Sequence, residues 1–213
     1  MQSQIQQKPI FIPVINHLWT PNNYSINIVK KWFEELYGNC RTVPLDTWRF
    51  SEEKFETEIK KAVGTSDTIC FYICLHGKQY INKKTGKPEE YLRLNENILI
   101  PDTKFSEIIS SLKYKNLYMM LEVCHGGGLI NTIKIDDSIK DMSECNILIF
   151  NICSKEQKCY VITDYSTMTI GKATSLMAKS LINPLKNPRI GLQLLKKAYG
   201  YLETKVTIIN TIS

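Results

Sequence analysis

The sequence predicts a three-layer α/β sandwich, with a mainly parallel central sheet and helices on both faces. Three observations lead there. Short apolar runs alternate with amphipathic segments along the chain, the pattern of strands joined by crossover helices. Two of the runs, 70–75 and 117–123, are almost wholly apolar, as strands covered on both faces must be. One then ends in His76-Gly77 and the other in Cys124-His125-Gly126-Gly127-Gly128. An imidazole and a thiol thus leave neighbouring strands at the carboxyl edge of the sheet, where open α/β sheets place their chemistry.

The elements follow in order. Residues 9–15 read as a strand and 26–36 as a helix, because Ile26, Val29, Trp32, Phe33 and Leu36 recur at helical spacing and Gly38-Asn39 stops the pattern. A short strand is expected over 41–45. Ser51 heads a helix over 52–63, in a sequence resembling a capping box shifted by one residue, and Gly64 ends it. After the strand at 68–75, Tyr80-Ile81-Asn82 and Tyr91-Leu92-Arg93-Leu94 flank the turn-rich 83–88 and predict a surface hairpin. Asp102 or Thr103 is expected to cap a helix that buries Phe105, Ile108, Ile109 and Leu112. Beyond Cys124 come a mobile polar loop at 136–141, a buried strand at 146–152, helices near 171–181 and 190–201, and a last strand at 205–212.

Length and composition set the class. The 213 residues fit one domain spanning 1–213 with a flexible start at 1–8, and 43% hydrophobic with 23% charged residues is ordinary globular usage. No apolar run approaches the ~20 residues of a membrane span, and the opening residues lack a signal-peptide core. An intracellular, cytoplasmic protein is expected. Seven cysteines, scattered and odd in number, do not make a disulfide framework, and no pair has zinc-ligand spacing. The net charge of +6 is spread in lysine pairs mixed with acids, which excludes a nucleic-acid reader. The sequence carries no signal of oligomeric state.

Cys124 is the expected nucleophile: a thiol beside an imidazole, followed by glycines whose backbone N–H groups converge, is placed to act as thiolate. His125 adjoins it in sequence and diverges from it, so His76, from another strand, is the expected general base. The N–H groups of Gly77 and Cys124 are the expected oxyanion donors. The other reading of each residue is a loop histidine and a packed thiol, the commoner fate of cysteine. Their joint occurrence with glycine partners at two strand ends favours the site. His17 and His125 are read as surface or turn residues, and Cys40, Cys70, Cys145 and Cys159 as structural or incidental thiols. A phosphate cradle at the three glycines lacks the Gly-Lys-Ser/Thr that would complete it.

The order strand-His-Gly, hairpin, helix, strand-x-Cys over 69–128, with the histidine 48 residues before the cysteine, resembles the caspase and metacaspase family. Cys124-His125-Gly126-Gly127 is similar to the Cys-His-Ser-Gly of metacaspases, and 151–158 looks like their Gly-Cys-x-x-x-Gln strand and loop. The resemblance implies a caspase-like sandwich and a cysteine endopeptidase acting on protein or peptide substrates. It also implies that the position two before the nucleophile, here Glu122, lines the pocket for the residue preceding the cleaved bond, with Cys74 and Ser154 nearby. Glu122-Val123-Cys124 is closest in letters to the Glu-Ala-Cys of the related legumains, which prefer Asn. A carboxylate at that floor suits Arg or Lys by charge, so a basic residue is the first expectation and Asn the second.

Where metacaspases carry Ser-Gly before His-Gly, this chain has Cys74-Leu75. Calcium-dependent members carry several acidic residues beside the site. Here only Asp102 stands in a comparable place, with Asn131 where a carboxylate would be expected. Six or more oxygen ligands are not in view, and no metal or other cofactor is expected. The reading from another class is a catalytically silent caspase-like scaffold that binds a partner through the same cleft.

Overall fold

Four parallel strands form the centre of the molecule: β1 (Ile10–Ile15), β4 (Thr68–Cys74), β8 (Asn116–Glu122) and β9 (Asn146–Asn151) lie side by side in that order. The structure, a computed structural model, describes residues 7–19, 24–124, 129 and 146–151. Along the other side of β1 run two short parallel pieces, β2 (Arg41–Thr42) and β3 (Leu45–Asp46). They replace the single strand expected over 41–45. The N–H groups of Arg41 and Val43 reach the carbonyls of Pro9 and Phe11 at 2.8 and 3.0 Å, and the break falls at Val43-Pro44, where Pro13 of β1 has no N–H to donate in return.

The sheet is mainly parallel and the architecture mixed α/β, as the alternation predicts. Helix α1 (Tyr24–Tyr37) buries Val29, Trp32 and Phe33 with Phe11, Cys70, Tyr72, Tyr118 and Met120. Helices α2 (Glu52–Val63) and α3 (Asp102–Ser110) supply Phe55, Ile59, Phe105 and Ile109 to a second cluster. There they meet Ile69, Phe71, Ile73, Leu117, Met119, Leu121 and Val123, which alternate with the first set along β4 and β8. Each face of the sheet therefore has its own core and its own helices.

Helix α2 runs over the residues its sequence signals predict. The hydroxyl of Ser51 accepts the Lys54 N–H at 3.1 Å, and Gly64 ends the helix with φ of 58°. Lys54 stands where a capping box needs Glu or Gln, so only half of that motif exists. Helix α3 departs from expectation at its start. Pro101 holds the cap position and offers no side-chain acceptor, while the Asp102 carboxylate takes the N–H of its own neighbour Thr103 at 2.7 Å. The helix ends at Ser110, and Leu112 packs against the core from just beyond it.

A second sheet sits at the carboxyl edge of the first. Strands β5 (His76–Ile81), β6 (Pro88–Arg93) and β7 (Leu99–Pro101) are antiparallel in that order. The expected hairpin is present, but its first strand begins at His76 rather than Tyr80, and β7 carried too few residues to register as a strand. One buried residue, Leu75, separates β4 from β5, so the chain passes from the central sheet straight into the hairpin.

Candidate functional site

Every pair in the β4–β8 register is 48 residues apart, from Thr68 with Asn116 to Cys74 with Glu122. His76 and Cys124 keep that separation, two residues past the last pair. Parallel neighbours lie roughly 4.8 Å apart, so the 48-residue spacing is the register offset itself, continued past the ends of both strands. The imidazole-bearing and thiol-bearing positions leave the sheet level with each other.

Gly77 fixes the closeness of the two segments. A Cβ at residue 77 would fall on the carbonyl oxygen of Cys124 and would lie 2.8 Å from the Cγ1 of Val123. No side chain fits there, and glycine lets the two backbones abut. Gly77 lies within β5, opposite Leu92.

His76 is exposed, and its ring lies against the indole of Trp19, with centroids 4.7 Å apart and planes at 50°. Partial burial lowers its pKa below the ordinary imidazole value, helped by the positive charges of Arg93 and Lys78. The neutral ring, the form that can accept a proton, is therefore favoured near neutrality. Arg93 faces His76 across the hairpin and carries its guanidinium over Trp19, 5.0 Å from the ring centre. Cys124 sits in the turn after β8, partly buried and in no disulfide.

Glu122 and Cys74 end their strands as a cross-strand pair. The Glu122 carboxylate accepts hydrogen bonds from the Tyr72 hydroxyl and from the Cys74 thiol. Burial nonetheless pushes its carboxyl above the usual range, more than these two donors pull it down. Deeper on the same face, burial holds the Cys70 thiol well above the ordinary thiol range, which makes it inert. The structure thus brings together His76, Gly77 and Cys124 at one edge, with Cys74 and Glu122 one step below. Ser154 and Asn131, His125 and the glycines after it, the loop at 136–141 and the elements expected after 151 lie outside the described residues.

Among the described residues no group of three His, Cys, Asp or Glu side chains is placed to hold a metal ion. No helix among them is long and apolar enough to cross a membrane. A scan of protein-family models and a search of curated proteins both find no match to this chain.

Sequence reasoning missed Trp19, Arg93 and Tyr72. Arg93 had a signal, since a hairpin turning over 82–87 pairs it with His76. Tyr72 had one too: it shares a face with Cys74 and lies level with Met120, beside Glu122. Trp19 had none, because its approach to His76 depends on the β1–α1 loop.

Proposed function

We propose that this chain is a cysteine endopeptidase of the caspase-like kind, cutting after Arg or Lys, with Asn the second choice. The observation that carries the proposal is the β4–β8 register, which brings His76 and Cys124 level, together with the glycine-only contact of Gly77 on the Cys124 backbone. Neutral His76 takes the thiol proton, and the thiolate of Cys124 attacks the carbonyl carbon of the scissile bond. N–H groups of Gly77 and Cys124 hold the oxyanion. His76 returns its proton to the departing amine, and water then hydrolyses the thioester with His76 again as base.

Glu122, with Cys74 and Ser154, selects the residue before the cut. A bound Arg or Lys draws Glu122 to its ionised form against the upward pull of burial. In its protonated form the same carboxyl can hydrogen-bond an amide, which is why Asn stands second.

Four fluorogenic peptides ending in Arg, Lys, Asn or Asp test this reading. Turnover of the Arg and Lys peptides is expected, lost by about 10⁴-fold or more in Cys124→Ala. Absence of turnover together with absence of labelling by thiol-reactive peptide inhibitors would sink it and favour a binding scaffold.

A further inference from the structure

We infer that Trp19 is a positioning residue for His76: its indole, braced by Arg93, fixes the plane of the imidazole that serves Cys124. The inference rests on the peptidase reading and names a part of that site which the resemblance does not supply. An exposed histidine at the start of a strand is free to rotate about two side-chain bonds. Here the ring lies against the indole, with centroids 4.7 Å apart and planes at 50°. The indole is itself held, because the Arg93 guanidinium lies 5.0 Å from its centre, a cation–π distance. Arg93 is tied in turn to the backbone carbonyls of Asn95 and Glu96 at 3.0 and 3.4 Å.

The loop carrying Trp19 is anchored to the same hairpin. Asn16, 1% exposed, donates its amide to the Leu94 carbonyl at 3.0 Å and accepts the Leu18 N–H at 3.0 Å. The Trp19 N–H closes the turn onto the Asn16 carbonyl at 2.9 Å. Thr47 reaches the same Leu94 carbonyl at 2.7 Å. A buried amide and a cation thus hold an aromatic ring whose exposed neighbour is His76, and a buried hydroxyl fixes the Leu94 carbonyl that anchors the loop. Packing alone does not call for that ring at the mouth of the site. Near-attack geometry does, because an imidazole displaced by about 1 Å costs on the order of a hundredfold in rate.

The charged groups that bear on the protonation of His76 are Arg93 on β6 and Lys78 on its own strand. His17 is engaged elsewhere, with Asp46 at 2.5 Å and the Trp48 ring at 5.6 Å.

The test uses the full chain, with Trp19→Ala and Trp19→Phe made in the active protein and again in Cys124→Ala. In the Cys124→Ala background, proton NMR of the histidine rings, assigned through His17→Gln and His125→Gln, should show the His76 ring displaced upfield by the indole. The displacement should vanish in Trp19→Ala and partly survive in Trp19→Phe. In the active protein Trp19→Ala should lower kcat about ten- to a hundredfold with KM little changed. Its acidic limb should move to higher pH as the ring becomes better hydrated, and Trp19→Phe should recover most of the loss. An active protein whose Trp19→Ala variant keeps kcat and pH profile overturns the inference and leaves the peptidase intact. A His76 resonance indifferent to Trp19 overturns it as well. An upfield shift in a chain that cuts no peptide overturns the peptidase reading, and the positioning role with it.

Discussion

The two faces of β4 and β8 divide fourteen residues between them and do different work. Toward α2 and α3 the side chains are Ile69, Phe71, Ile73, Leu117, Met119 and Leu121, without a polar atom beyond one thioether. Toward α1 they are Cys70, Tyr72, Cys74, Tyr118, Met120 and Glu122, carrying two thiols, two hydroxyls and a carboxylate. The polar groups are paired with one another: Tyr118 with Tyr37, and Tyr72 with Glu122. A strict period of two separates a face that only packs from a face that leads up to the candidate specificity pocket.

The largest expected effect belongs to the aliphatic face. Phe71 is fully buried between β1, β8 and the α2–α3 layer. Truncation in Phe71→Ala should cost about 3–5 kcal/mol, from lost apolar contact and the cavity left behind. Urea unfolding measures it, and any preserved activity should keep its preference among the peptides. A changed preference without a change in stability would break the division between the faces.

On the other face a single oxygen should matter in two ways. Tyr72→Phe leaves no cavity but deprives Glu122 of a donor, which should cost about 1–3 kcal/mol. Since that hydrogen bond holds the Glu122 carboxyl down, its loss should send the pKa higher still. A carboxyl whose folded pKa is raised adds stability in full below the unfolded carboxylate range and loses it as pH rises through the folded value. The deficit of Tyr72→Phe against wild type should therefore widen between acid and neutral pH. Turnover of the Arg and Lys peptides relative to the Asn peptide should fall in parallel, and a fixed ratio would separate Glu122 from specificity.

Both faces were legible in the sequence, and for the same reason. Runs 70–75 and 117–123 are short, apolar and bounded by chemistry, so strand, burial and edge follow from pattern alone. Helix α2 was legible because Ser51 and Gly64 mark both of its ends. What could not be read was where separate segments meet. The break in the strand at 43–44 depends on Pro13 of β1 alongside it, and the start of β5 at His76 depends on its pairing with Arg93. The partners of Glu122 needed the register of β4 on β8, which no local pattern states. The same holds for Trp19, whose turn residues say nothing about a ring 57 positions later.

The smallest effect asks whether the division continues past the strand ends. His76 stands above both faces, and the charges acting on it come from the hairpin, Arg93 before Lys78, with burial the larger cause. Activity that needs the neutral imidazole is present above its pKa and lost as pH falls through it. Because that pKa is depressed, the acidic limb of kcat/KM should lie below the ordinary imidazole value of about 6.5. Lys78→Gln should move the limb slightly upward and Arg93→Gln further, the latter also loosening the Trp19 brace. Salt should do the same to the wild type by screening both cations, and should do less in each variant. Phe71→Ala, on the face that only packs, should leave the limb where it is. A limb that stays fixed through both charge substitutions and salt would mean that the hairpin cations do not reach the imidazole.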